Sequence, residues 1–485
     1  MSGFYHQRPY VGGGPIAKKP RMGPRGPPHM MPGHHPEDDN KRLMSFKEFI
    51  LAQSNDINEQ EALARYSEYK TGFTRKRIDD FFKEHQEEEW FRTKYRPIEL
   101  KKIEEATKES KARRKELYSK LIEKQSTDNF FLDYQHNETL AQFLENFSLL
   151  LEGASMEELD DHEARRKYGV SSIFIPQLHP SIDKAMIEEY AQQHPGFLRV
   201  AMSEAQPDKG FRRRAWITYK LMEPDEIRKL CWDYNAHKFN GHETKAIVNK
   251  EMNNRIRYTQ YWFCHSKAAK ADLKNIAKIL THFDGEDSPL LETIKDHLIE
   301  EKNEEEQLLG VNEQNAPDFE FTQDPELFKA LDKVILYLRI VHSYDYYAAT
   351  EYTGEDDMPQ RIGIMFARPM LPTSFGDQPQ ELLKEFIEAQ KTRVDQSLEK
   401  PTLSEAEQKQ LGMRNADEEV ENFIYQHTIE KKAGEKYLCK LTKKKFTAPE
   451  YVRKHILSRC TDKVDEVRTM VEFFNNYVAD AKRPM

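Results

Sequence analysis

Apolar residues recur at helical spacing along most of the chain, and one central stretch alternates in twos. Ser45-Phe46-Lys47-Glu48 has the form of a capping box, so a helix starts at Phe46, and Phe49 and Ile50 keep its spacing. After Asn58 a longer helix carries Ala62, Leu63, Tyr66, Tyr69 and Phe73 on one face, and Ile78, Phe81, Phe82, Trp90 and Phe91 continue the pattern as core. Pro97 opens a helix through Lys101 to Lys124 with few apolar positions, in which Lys101, Lys102, Arg113, Arg114 and Lys115 interleave with Glu104, Glu105 and Glu116. Such a helix is predicted to project into solvent, laced by salt bridges. A further helix spans Thr139 to Leu151 and ends near Gly153, before an acidic linker from Glu157 to Asp161.

The alternating stretch begins at Ser172-Ile173-Phe174-Ile175-Pro176-Gln177-Leu178. A helix at Lys184–Gln193, strands at Phe197–Ser203 and Arg212–Tyr219, a helix at Pro224–Trp232 and a last strand near Thr244–Asn249 complete the order β-α-β-β-α-β. That order, with Ile173-Phe174-Ile175 on the first strand and Arg212 to Tyr219 on the third, resembles an RNA recognition motif. Alternation turns Ile173, Ile175, Ala215 and Ile217 inward and Phe174, Arg214, Trp216 and Thr218 outward. Phe174 and Trp216 are therefore candidates for stacking bases, each worth about 1–3 kcal/mol, and Arg212, Arg213 and Arg214 for phosphate contacts. Arg213 stands where that motif has Gly and Arg214 where it has an aromatic, so the platform is reduced to two rings. The competing reading is that the sheet is a docking face covered by a flanking element.

From Gln260 to about Glu430 the spacing is helical again, at Lys267–Phe283, Pro289–Leu309, Pro325–Tyr347, Glu381–Leu398 and Asp417–Lys431, with a short strand at Arg361–Arg368. The stretch from Val334 to Tyr347 is the most apolar of these and predicts a central pillar. It carries Arg339, His342 and Asp345, which read as satisfied polar groups of a core helix. No P-loop, dinucleotide fingerprint, His-Glu-x-x-His or Gly-x-Ser-x-Gly is present, and the chain reads as non-catalytic.

Near the end, Cys439, Thr442, His455 and Cys460 take the four ligand places of a ββα zinc finger, with Phe446 and Val452 in its small core. Thr442 is not a zinc ligand, so zinc is the implied cofactor with an incomplete set, Cys439, His455 and Cys460. Lys443, Lys444, Lys445, Arg453, Lys454 and Arg459 make the module strongly basic, suited to phosphates or an acidic peptide. The last helix, Asp462–Ala481, carries Val464, Val467, Val471, Phe473 and Phe474 and is expected to pack back on the helical body.

Composition narrows the class. In 485 residues, 32% are charged and 38% hydrophobic, too solvated for a membrane protein. The net charge of −9 confines any nucleic-acid binding to local basic clusters. Four cysteines fit a reducing compartment. Residues 1–43, rich in Gly, Pro and His, are expected to be a disordered arm whose Lys18, Lys19 and Arg21 form a candidate nuclear signal. The expected architecture is multi-domain and predominantly α-helical, with an inserted α/β RNA-recognition-motif-like domain and a C-terminal zinc-finger-like module. Its segments are the arm (1–43), an N-terminal helical domain and acidic linker (44–165), the recognition-motif-like domain (166–256), a middle helical domain (257–432) and the finger-like module with its helix (433–485).

Ser45 to Phe49, Glu88-Glu89-Trp90-Phe91-Arg92, Leu338 to Ser343, Phe446 through His455 and Phe473-Phe474-Asn475-Asn476 together resemble the arsenite-resistance protein 2/Serrate family, in matching order from about Ser45 to Pro484. The resemblance implies a non-catalytic scaffold of the nucleoplasm. It would link capped RNA and the nuclear cap-binding complex to primary microRNA processing and gene silencing, 3′-end maturation, export or decay. It also implies that the finger binds short acidic peptides of effectors, here through Lys443, Lys444, Lys445, Arg453 and Lys454. Two features depart from the family: the chain stops at Met485, without the Pro/Gly-rich tail that contacts the cap-binding complex, and only a short acidic linker precedes the recognition-motif-like domain. A zinc-finger DNA-binding transcription regulator is the alternative, and an RNA-processing enzyme built on Arg339, His342 and Asp345 a third reading.

Overall fold

The computed structural model describes residues 42–52, 58–124, 131–250, 255–295, 319–399, 402–432 and 436–485. Residues 1–41 of the proposed arm, with Lys18, Lys19 and Arg21, lie outside them, as does most of the expected helix 289–309, of which residues 289–295 are helical. The chain divides into two compact units, Met1–Phe73 and Thr74–Met485.

In the first unit Ser45 caps the helix Phe46–Leu51 with the expected reciprocal bonds to Glu48. Phe49 is buried, stacked on Tyr69 at 5.1 Å, and Tyr66 donates to the Met44 carbonyl. Leu63, expected inside, is half exposed, because Ala62 and the tyrosines already fill that face.

In the second unit the pillar is the helix Pro325–Val341, started by Asp324, whose carboxylate accepts from the Glu326 and Leu327 amides, and by Pro325 in the first turn. Around it pack the helices Asn137–Leu151, Ser266–Asp284 and Pro379–Leu398, burying Leu144, Phe147, Ile276, Leu331, Ile335 and Val394 in one core. The pillar stops short of the expected Tyr347: Ser343 turns into the left-handed region at φ 54°, and Tyr344–Asp345 pairs with Thr350–Glu351 as a hairpin. The charged helix Pro97–Lys124 does not project freely. Tyr118 and Leu121 join the core, and Arg114 is buried, donating to Asp356 and to the Ile340 and Arg361 carbonyls.

The central sheet has strands β1 (Val170–Leu178), β2 (Phe197–Met202) and β3 (Arg213–Lys220), with Ile247–Val248 at its edge, in the order β2-β3-β1-(247–248), all antiparallel. Helices Lys184–Ala191 and Pro224–Ala236 cover one face, over Ile173, Ile175, Val200, Ala215 and Ile217. At the C-terminal end the expected helix 417–431 finishes at Gln426, and Thr428–Lys432 becomes a strand paired with Lys436–Cys439, which in turn pairs with Lys445–Phe446. The helix Pro449–Arg459 closes this small sheet over Val420, Ile424, Cys439, Val452 and Ile456. The final helix Thr461–Ala479 returns Phe473, Phe474 and Tyr477 onto Ile78, Phe82, Phe91 and Tyr95, as its apolar pattern implied.

Candidate nucleic-acid and peptide interfaces

Phe174 and Trp216 are direct partners across β1 and β3, both half-buried, with ring centroids 5.2 Å apart and planes at 28°. Ile247 pairs with Phe174 from the edge strand and is 53% exposed, so the outward row runs Trp216, Phe174, Ile247. Ile247 was missed as a surface residue, although alternation in Lys245–Lys250 places it outward. Arg214 is exposed two residues before Trp216 on β3, and Arg212 reaches across to donate to Gln177 Oε1 at 3.0 Å.

Arg213 departs from its assignment. It is 7% exposed, its Nε donates to the Ser203 carbonyl at 3.0 Å and its Nη1 to Glu89 Oε2 at 3.0 Å. Parity explains this: 213, 215, 217 and 219 share the inward face, so the guanidinium is held at the rim of the core by an ion pair and is not offered to a phosphate. Glu89 Oε2 also accepts from the Lys184 amide at the start of the helix Lys184–Ala191, which has no cap of its own.

The next outward row is closed. Thr218 is fully buried, and Arg199 beside it is bound to Glu152 and to the Met358 carbonyl. The turn Pro359–Arg361 lies against β1 and β3, with Gln360 and Arg361 both at φ 54°. Two successive left-handed residues without glycine's freedom are costly. They are held by Arg361 Nε to Glu152 Oε1 at 3.2 Å and by the buried Arg255, whose Nη1 donates to the Pro359 and Ile362 carbonyls at 3.0 Å. Burial pushes Arg255 down to about 10. The sheet is thus a docking face on one half and open on the other.

In the basic module Lys443, at φ 60°, and Lys444, Lys445 and Lys454 are exposed. Among the described residues none of the four makes an ion pair. Arg453 does, with Nε 2.9 Å from Glu421 Oε1, and that pairing holds the Glu421 carboxyl down. Thr442 Oγ1 lies 3.0 Å from His455 Nε2, and Phe446 lies 5.0 Å from the imidazole. Cys439 is wholly buried in the small core, and Cys460, only partly buried, is pushed up by burial and by Cys439. Among the described residues no three of His, Cys, Asp and Glu converge as metal ligands.

Arg339, His342 and Asp345 gather at the end of the pillar. Arg339 is clamped by Glu355, with Nη1 to Oε2 at 2.7 Å, and lies over the Tyr352 ring. Asp345 accepts from the Ala348 amide and is pushed up to about 6 by burial, Arg339 opposing. His342 stacks on Phe283 at 4.8 Å, with Nε2 3.2 Å from Asp284 Oδ1. These contacts tie the pillar to its neighbours. No helix among the described residues is long and apolar enough to cross a membrane.

Three family models match the chain: the SERRATE/Ars2 N-terminal domain over residues 47–156, the RNA-recognition domain of the Serrate RNA effector molecule homolog over 168–252, and arsenite-resistance protein 2 over 372–485. Serrate RNA effector molecule homologs of Caenorhabditis briggsae and Caenorhabditis elegans are each 31% identical, over 93% and 91% of this chain and 77% and 76% of their own. Homolog B of Xenopus laevis is 28% identical over 91% of this chain and 70% of its own. A solved structure described as giving insights into miRNA processing by Arabidopsis Serrate covers 90% of this chain and 97% of its own at 17% identity. Its TM-score of 0.24 is too low to carry an argument.

Proposed function

The chain belongs to the SERRATE/Ars2 family of RNA effector proteins, and from that premise we propose that it is a non-catalytic nuclear adaptor with two separate surfaces. One takes RNA on the open half of the central sheet. The other takes acidic peptides of effectors on the basic module. The observation that carries the reading is the half-buried Phe174–Trp216 pair facing outward beside Arg214 and Arg212, a surface on which single-stranded bases stack while a guanidinium meets the phosphate. On the module, Lys443, Lys444, Lys445 and Lys454 meet carboxylates directly, and Arg453 joins only by exchanging Glu421 for a carboxylate of the partner. The family premise extends the role to joining capped RNA and the nuclear cap-binding complex to primary microRNA processing and gene silencing, 3′-end maturation, export or decay. The module works without zinc in this reading, its Thr442–His455 bond and apolar core standing in for the metal. A DNA-reading finger is not favoured.

Paired anisotropy titrations of the full chain test this, with single-stranded RNA and with an acidic peptide. Phe174→Ala/Trp216→Ala is expected to weaken RNA binding at least about tenfold and leave the peptide alone. Lys444→Glu/Lys454→Glu is expected to do the reverse, and a chelator to change neither. RNA binding that survives the aromatic double substitution rejects the sheet as the RNA surface. Peptide binding that survives the charge reversal rejects the module.

A further inference from the structure

Beyond the aromatic pair, just past the end of β1, lies a pair of histidines. His179 and His242 lie face to face, with ring centroids 3.8 Å apart and planes at 13°, closer and flatter than Phe174 and Trp216. His179 is exposed and His242 half-buried. His179 follows Gln177 by two residues, and Gln177 accepts from Arg212, which shares the outward parity of Arg214 and Trp216. Along β1 and β3, Gln177 and Arg212 therefore stand between the Phe174–Trp216 pair and His179. From Phe174 to His179 is five residues, at most roughly 16 Å at about 3.3 Å per residue, shortened by the β1 bulge between Ile175 and Leu178.

Resting on the reading of the sheet as an RNA surface, we propose that the His179–His242 pair is a second stacking site, which takes a base further along the same single strand, with Arg212 between the two sites on the phosphates. The third ring missing from β3, where Arg214 stands, is thereby replaced by imidazoles beyond Arg212 and Gln177. The His179 ring is fixed for this: its Nδ1 lies 2.8 Å from Ser181 Oγ and accepts from the Ser181 amide at 3.3 Å. Burial, His242 and Arg212 hold the His179 imidazole below its ordinary value, against the pull of Glu88. His242 is carried by the hairpin Lys238–Phe239/His242–Glu243, whose turn contains Asn240 at φ 48° and Gly241 at φ 80°. Both left-handed turn positions set the second imidazole on the first.

Two oligoadenylates separate the sites, one of about two nucleotides, which reaches one stacking site, and one of about twelve, which spans both. For the full chain, His179→Ala/His242→Ala is expected to weaken the long oligonucleotide about fivefold or more and to leave the short one unchanged. His179→Phe/His242→Phe restores stacking without imidazole chemistry and is expected to recover the long-oligonucleotide affinity. The proposal is overturned if the alanine variant binds the long oligonucleotide like the unmodified chain, if both lengths weaken equally, or if phenylalanine fails to rescue. Failure of the underlying reading shows differently, as Phe174→Ala/Trp216→Ala binding both lengths undiminished, and the histidine site falls with it.

Discussion

A buried charged group is decided by what touches it, and three residues here separate the cases. Arg339 is paired twice with Glu355, whose carboxyl burial would raise but Arg339 holds below its ordinary value. Arg213 has Glu89. Among the described residues Asp272 has no cation in hydrogen-bond reach: it is buried on the Ser266–Asp284 helix, accepts from the Tyr346 hydroxyl, and leaves Oδ2 without a partner. Burial pushes it up to about 7 against the opposing effects of Tyr346 and Arg368. An acid raised in the folded state favours folding while it is protonated in both states, and that advantage is lost as pH climbs from near 4 through 7. Asp272→Asn removes the titration. Thermal melts from pH 5 to 8 are expected to show the unmodified chain losing stability relative to the variant, by roughly 2 kcal/mol at the alkaline end; parallel curves would reject this account. Arg339 was legible as a polar group of the core helix, but nothing in the spacing marks Asp272, which sits in a lysine-rich helix. The sheet positions were legible, because alternation alone faces Phe174 and Trp216 outward. The same alternation turns Arg213 inward, and its place in the basic run was misleading there.

At the level of elements, apolar spacing located helices well and their surroundings poorly. Pro97–Lys124 has a charged sequence because most of its surface is solvated, yet its second half is held by Tyr118, Leu121 and the buried Arg114. The helix Lys184–Ala191 shows the same dependence on a distant neighbour. Its first amide is satisfied by Glu89, ninety-five residues earlier, which also neutralises Arg213. Glu89→Gln keeps an acceptor for the amide and removes the charge facing Arg213. It is expected to cost about 1–3 kcal/mol in denaturant unfolding, with Glu89→Ala costing more. Equal stability of Glu89→Gln and the unmodified chain would show that the guanidinium finds solvent or another acceptor. Where helices ended was the weakest inference. Pro325–Val341 is cut off by the left-handed Ser343, and Ala416–Gln426 gives way to a strand because Lys436–Cys439 offers Thr428–Lys432 a ladder.

Within the Thr74–Met485 unit, the decisive feature is the turn that closes half of the central sheet. Glu152, at the end of one helix, receives Arg199 from β2 and Arg361 from the turn, while Arg255 and Arg114 bind the turn's carbonyls. Glu152→Ala leaves two guanidinium groups without their carboxylate. Hydrogen exchange over residues 355–362 and 197–202 is expected to rise roughly ten- to hundredfold, while peptides from the basic module stay unchanged. Uniformly faster exchange would mean global destabilisation, and no change would mean that the arginine-to-carbonyl bonds suffice. By itself the sequence determined the order of helices and strands, the outward rings, the basic module and the family, because periodicity and residue chemistry are local or follow chain order. Only the tertiary structure decided that one half of the sheet is covered and the other open, that Arg213 and Arg453 already have carboxylate partners, that Thr442 lies against the His455 nitrogen, and that two histidines sixty-three residues apart lie face to face. Each of those depends on which distant groups share a surface, and contact between residues far apart in the chain leaves no periodic trace in the sequence.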